Sequence, residues 1–139
     1  MILGPLTHPA VLSALANAGH TSKVLIVDAH FPAPKLLGRD VEVVHLNYAP
    51  GMLGVEDVLK PLVETVPIES AVAAVYEDGS QPDIWRVYEE VLPENVTLSA
   101  VKGSALTTAF TDAELAVVIV TGELAPASCI VLSLGIRRV

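Results

Sequence analysis

The hydrophobic positions of this chain fall into short runs separated by polar, proline-containing or glycine-containing segments. Three runs are almost continuous and rich in β-branched residues, which is typical of strands buried on both faces of a sheet. These runs are Lys23–Val27, Leu115–Thr121 and Cys129–Leu134. Three less continuous runs predict further strands over Val41–Leu46, Ala71–Tyr76 and Val96–Val101.

Segments with helical spacing of apolar residues alternate with these strands. They predict helices over His8–Ala18, Val55–Val66 and Pro82–Leu92, loops over Phe31–Asp40 and Asn47–Gly54, and a weak helix or turn over Thr107–Ala113. Pro9 suits the first turn of a helix, where its missing amide proton has no partner to lose. Pro61 is expected to kink or shorten the second helix. The alternation predicts one α/β domain over residues 1–139, with a sheet between helices packed on both faces.

Composition narrows the possible partners and the setting. The chain has 139 residues and is 52% hydrophobic. Its net charge of −8 argues against nucleic acid or an anionic membrane as a partner, because both are negatively charged. The longest apolar runs have about six residues, whereas a membrane-spanning helix needs about 20. With one cysteine, no secretory signal in view and no internal disulfide possible, we expect a cytoplasmic protein.

Polar groups with useful proton chemistry flank the first predicted strand. His20 precedes it, and Asp28 and His30 follow it, at a strand end of the kind where α/β folds place ligands. Imidazole exchanges protons near neutral pH, and a carboxylate can orient it or hold a substrate hydroxyl. An extended strand could separate His20 from Asp28 by nearly 25 Å, on the order of 3.3 Å per residue. They can share a site only if residues 20–22 fold back or if the site lies between subunits.

Simpler interpretations exist for each of these residues. His20 could cap the C-terminus of a helix, Asp28 could stabilise a turn, and His30 could simply be exposed. Cys129 is typical of a strand in the core, and Glu123 is typical of a solvated loop. A metal site at Asp28 and His30 would need His20 or His45 nearby. Glycine-rich nucleotide-binding motifs and the serine-hydrolase elbow are absent from the sequence.

Several sequence blocks together resemble the ribose pyranase / fucose mutarotase family. They are Gly19-His20-Thr21, Asp28-Ala29-His30-Phe31-Pro32, Gln81-Pro82-Asp83-Ile84-Trp85, Thr121-Gly122-Glu123, and Ile130–Leu132 with Gly135. The resemblance implies interconversion of anomers or ring forms of a ribose-like or fucose-like monosaccharide, without cofactor or metal. It implies His20 as acid/base, Asp28 as its partner or a sugar ligand, and sugar contacts from Glu123 and positions 127 and 129. Strand geometry adds His30 to these candidates, because residues 28 and 30 face the same side of an ideal strand. The resemblance also implies a ring-like homo-oligomer, typically a decamer, with sites at subunit boundaries.

The chain departs from the resembled family at three polar positions. Ala127 and Cys129 stand where the family has tyrosine and asparagine, and Ala105 stands where it has histidine or arginine. Each lost hydrogen bond to a buried sugar hydroxyl costs about 1–3 kcal/mol. Three explanations are open: the substrate differs, another polar residue supplies the lost sugar contacts, or catalysis has been lost. The candidates for such a replacement are His45, Asn47, Tyr48 and Ser128. The alternative hypotheses are therefore a non-catalytic sugar-binding or regulatory relative, and a small hydrolase or isomerase with metal at Asp28 and His30.

Overall fold

A six-stranded mixed sheet forms the centre of the molecule, and the computed structural model describes it with all 139 residues. The strands are β1 (Lys23–Val27), β2 (Val43–His45), β3 (Ile68–Val75), β4 (Thr97–Lys102), β5 (Leu115–Val120) and β6 (Ile130–Leu134). The helices are α1 (Pro9–Asn17), α2 (Ala33–Leu36), α3 (Val55–Val63) and α4 (Trp85–Val91), with 3-10 segments at Gly103–Ala109 and Asp112–Glu114. None of the helices is long and apolar enough to cross a membrane.

Strand direction gives the sheet one edge at which most strands end. The strand order is β2-β5-β1-β6-β3-β4, and β6 runs antiparallel to its neighbours β1 and β3. The pairs β1/β5, β2/β5 and β3/β4 are parallel. Five strands therefore finish at the same edge, where β6 begins, and this is called the carboxyl edge below.

The core is built around β1, whose side chains alternate between the two faces of the sheet. Val24 and Ile26 pack with α1, α3 and α4, whereas Leu25 and Val27 pack with Leu106 and other residues of the opposite face. All four are fully buried, and burying each aliphatic side chain contributes about 1.5–3 kcal/mol. The prediction of a strand buried on both faces is confirmed.

The predicted elements and fold class are confirmed, with local differences. The segment predicted as a loop over Phe31–Asp40 contains the one-turn helix α2, and β3 begins at Ile68, earlier than predicted. Pro61 lies in the last turn of α3, which ends two residues later. The three longer helices all cover one face, while α2 and the 3-10 segment at Gly103–Ala109 cover part of the other.

The Thr-Gly-Glu segment ties the ends of β5 and β1 together. The Thr121 hydroxyl donates to the Val27 carbonyl at 2.8 Å, and the Glu123 carbonyl accepts from the Ala29 amide at 2.9 Å. The Gly122 amide donates to the Leu53 carbonyl at 2.9 Å. This close approach explains the glycine, because a Cβ at position 122 would overlap a backbone carbonyl oxygen of the preceding loop.

We expect Gly122→Ala to destabilise the fold by about 1–3 kcal/mol or more, because the added Cβ collides with the Met52 carbonyl and lies 2.8 Å from that of Ala49. The control is Gly19→Ala, where a Cβ meets no atom within 4 Å, and its effect should stay within about 0.5 kcal/mol. Urea denaturation of both variants measures the difference. Equal stabilities would contradict this account of Gly122.

Candidate active site

A cleft opens at the carboxyl edge between the ends of β1, β3 and β4 and the start of β6. Its cavity volume is about 250 Å³. It is lined by Asp28, His30, Phe31, Ala74, Val75, Tyr76, Glu77, Gly103, Leu106, Ala127 and Cys129. Asp28 follows β1 and Cys129 precedes β6, so the pairing of these two strands brings their side chains together.

The Asp28 carboxylate is the most firmly held polar group of this cleft. It is only 5% exposed and accepts hydrogen bonds from the His30 amide at 3.0 Å, the Ser128 amide at 3.2 Å and the Cys129 thiol at 3.4 Å. Donors from both sides of the cleft therefore fix its position. A buried carboxylate with this support is pre-organised to bind a hydroxyl group.

Cys129 lines the cleft as a protonated donor. Burial, with the Asp28 charge adding to it, raises the pKa of the Cys129 thiol well above its usual range. The thiol therefore stays neutral near pH 7 and lacks the thiolate that a nucleophile needs.

His30 and Ala127 shape the rim of the cleft. The His30 ring is exposed, and its Nε2 lies 2.9 Å from the Leu124 carbonyl, which ties the segment after β1 to the segment before β6. Ala127 adopts a left-handed backbone conformation with φ of 58° as the chain turns into β6. Both residues line the cleft with Asp28.

Glu123 points to a different part of the molecule. Its Oε1 accepts from the Ala125 amide at 3.1 Å, and its Oε2 lies 3.0 Å from the point where Gly54 would carry a Cβ. Gly54 precedes the first turn of α3, where the helix dipole favours a negative charge. The structure does not place Glu123 among the residues lining the Asp28 cleft.

His20 lies at the opposite edge of the sheet from Asp28. The Thr21 amide donates to the Leu134 carbonyl, and the Ser22 carbonyl accepts from the Leu134 amide. These bonds continue the pairing of β1 with β6, so residues 20–22 do not fold back toward Asp28. Six extended steps from Ser22 to Asp28 span roughly 20 Å.

The His20 ring lies in a second cleft of about 340 Å³. It is lined by Leu15, Ala18, Gly19, His20, Val66, Pro67, Leu134, Gly135, Ile136 and Arg137. The ring Nε2 is 2.8 Å from Oε2 of Glu69, and both side chains are nearly half exposed. One protomer therefore presents an imidazole at one edge and a buried carboxylate at the other.

Several residues near these clefts were not predicted from the sequence. Tyr76 and Glu77 follow β3, and Gly103 follows β4, so the rule that strand ends carry ligands could have found them. Hydrogen bonds from the Ser104 amide and hydroxyl lower the pKa of Glu77, which adds a second ionised carboxylate to the cleft. Glu69 had no local signal, because only the folding of β3 brings it to His20.

The remaining positions singled out in the sequence do not line the Asp28 cleft. His45, Asn47 and Tyr48 are exposed at the end of β2, which is not beside the Asp28 cleft. Ser128 is buried, and its hydroxyl oxygen has no hydrogen-bond partner. Ala105 is half-buried in the 3-10 segment and does not line the cleft. No three histidine, cysteine, aspartate or glutamate side chains are grouped as metal ligands would be.

The fold and the two clefts define a class of protein, a small α/β domain with a mixed sheet that holds a buried carboxylate at its carboxyl edge. The sequence profile of the RbsD / FucU transport protein family matches residues 1–137. The chain is 34% identical over 133 residues to D-ribose pyranase 1 of Rubrobacter xylanophilus, with 96% of each chain covered. It therefore belongs to the RbsD / FucU family.

Solved structures agree with this fold. The Bacillus subtilis RbsD complexed with D-ribose aligns with a TM-score of 0.84 at 22% identity, over 99% of this chain and 100% of that one. The fucose mutarotase of Streptococcus pneumoniae in complex with L-fucose aligns with a TM-score of 0.79 at 16% identity, again over 99% and 100%. The family and fold that the resemblance implied are confirmed.

We expect Cys129 to resist thiol reagents in the native protein, because burial and the nearby Asp28 charge raise its pKa and keep it protonated. A chromogenic disulfide reagent at pH 8 should label the thiol only after unfolding in denaturant, when it should react fully. Rapid and complete labelling of the folded protein would show that the thiol is accessible and ionised, contrary to this structure.

Proposed function

We propose that this protein is a monosaccharide mutarotase that interconverts anomers or ring forms of a ribose-like or fucose-like sugar without a cofactor. The observation that carries the proposal is the buried Asp28 carboxylate, held by three donors at a cleft of small-molecule size. It occurs in a chain 34% identical to a D-ribose pyranase. The lone buried thiol of Cys129 is compatible with a reducing cytoplasmic setting.

Ring opening and closing of a sugar require only proton transfer. A base takes the proton of the anomeric hydroxyl while the bond between the anomeric carbon and the ring oxygen breaks and a carbonyl forms. An acid protonates the departing ring oxygen, and the same two steps in reverse close the ring on either face. We assign proton transfer to His20, since imidazole exchanges protons near neutral pH. Asp28 holds a sugar hydroxyl, and His30 and Ala127 border the same cleft.

The separation of His20 from Asp28 requires a second copy of the chain. Within one protomer the two residues lie at opposite edges of the sheet, roughly 20 Å apart by strand geometry. A complete site therefore forms where the His20 cleft of one copy meets the Asp28 cleft of another. We propose that the functional unit is a homo-oligomer, and the family resemblance favours a ring-like decamer.

A non-catalytic sugar-binding relative is the second candidate, and the lining of the cleft favours it. Ala127 and Cys129 line the Asp28 cleft, and neither offers the polar side chain that the family resemblance leads one to expect there. Such a relative would bind a sugar through Asp28 without accelerating ring opening. Saturable binding that is unchanged in His20→Ala would support this candidate.

Exchange NMR across a panel of monosaccharides, with ribose and fucose first, tests the proposed activity. We expect the wild type to accelerate exchange between forms of at least one sugar, and His20→Ala to reduce that rate by about 100-fold or more. Glu94→Gln is the control, because Glu94 is exposed and lines neither cleft. No acceleration of any sugar by the wild type would contradict the mutarotase proposal.

Mixing two inactive variants tests whether the site is shared between copies. His20→Ala and Asp28→Ala should each be inactive alone, whereas co-expressed chains should regain about one quarter of wild-type activity, because that share of sites combines both intact residues by chance. Co-expression of either variant with itself is the control. Activity that stays at zero in mixed, correctly assembled oligomers would place the whole site within one protomer.

A further inference from the structure

We propose that Glu69 is a positioning residue that selects the tautomer of His20 and aims its free nitrogen at the substrate. The inference rests on the proposed function, in which His20 transfers the protons. It goes beyond that function by assigning a role to a residue that no motif of the sequence indicates.

The local backbone places Glu69 beside His20. In the pairing of β3 with β6, Ile68 lies opposite Leu134 and Ser70 opposite Ser133, so Glu69 is the extra residue of a β-bulge. A bulge redirects the side chain at an otherwise regular strand. Here the redirected carboxylate meets the His20 ring at 2.8 Å.

Gly135 makes room for this bulge. A Cβ at position 135 would lie 3.3 Å from the Glu69 Cβ and 3.5 Å from its amide nitrogen. The Gly135 amide also donates to the Pro67 carbonyl at 2.8 Å, which anchors the chain just before the bulge. The position of Glu69 is thus set by backbone packing as well as by its contact with His20.

The contact determines which ring nitrogen of His20 can act as a base. The Glu69 carboxylate accepts a hydrogen bond from Nε2–H of His20. In the neutral ring the lone pair therefore lies on Nδ1, and Nδ1 becomes a donor when the ring is protonated. Arg137 also lines the His20 cleft, but a guanidinium has no acceptor and cannot replace Glu69 in this role.

The exposure of the His20 and Glu69 side chains indicates that their contact orients the imidazole ring and adds little to folding stability. The side chains of His20 and Glu69 are 47% and 43% exposed, and exposed ion pairs contribute little to folding stability. Glu69→Ala should therefore fold as the wild type does, so any effect on His20 can be read directly.

The tautomer can be measured independently of activity from the ¹⁵N shifts of the histidine rings, recorded above the pH at which the rings titrate. We expect wild-type His20 to show a single tautomer protonated on Nε2. Glu69→Ala should shift it toward a mixture, while Glu69→Gln retains much of the preference through its amide oxygen. The rings of His8, His30 and His45 should be unchanged. Identical His20 shifts in wild type and Glu69→Ala would overturn the proposal.

Sugar exchange kinetics supply the second readout. Glu69→Ala should lower kcat on the order of tenfold or more with little change in KM, since Glu69 is assigned no sugar contact. Glu69→Gln should recover part of the loss, and Glu94→Ala, an exposed carboxylate on another loop, should behave as wild type. A shifted tautomer with unchanged kcat would overturn the catalytic role. If the wild type accelerates no sugar, the proposed function fails while the ring shifts still decide whether Glu69 orients His20.

Discussion

The central strand β1 is the constraint on which the other features depend. Its residues Val24–Val27 are fully buried between two apolar layers, and it pairs with β5 on one side and β6 on the other. A strand packed in this way has no freedom to bend or to change register, because a shift by one residue would exchange its two faces. Its two ends are therefore held apart, and each end carries one of the polar groups on which the proposed chemistry depends.

The two edges of the sheet are built differently. At the carboxyl edge, backbone amides and a neutral thiol surround Asp28, so the carboxylate is fixed and shielded from water. At the opposite edge His20 is solvated and has one partner, Glu69. A shielded carboxylate is suited to binding a hydroxyl group, and a solvated imidazole to exchanging protons. Contact between copies would bring these two environments together around one ligand.

The Thr121-Gly122-Glu123 segment supports the Asp28 cleft through contacts within the protein. Its threonine bonds the end of β1, its glycine packs against backbone carbonyls, and its glutamate faces the start of α3. The segment thereby fixes the end of β5 next to the end of β1, where Asp28 begins the cleft. Sugar binding by Glu123 stays a prediction. Its carboxylate accepts a hydrogen bond from the Ala125 amide and lies beside Gly54.

The sequence alone determined the fold class and all six strands, because buried strands require continuous apolar runs and helices require their own period. The family was indicated separately, by the resemblance of several motif blocks. The sequence also indicated Asp28, His30, Ala127 and Cys129, which the structure brings to one cleft. Only the tertiary structure decided that His20 lies at the other edge, that Glu123 faces α3 and that Glu69 meets His20. Those facts depend on strand order and on a β-bulge, and both arise from contacts between residues far apart in the chain, which local patterns do not record.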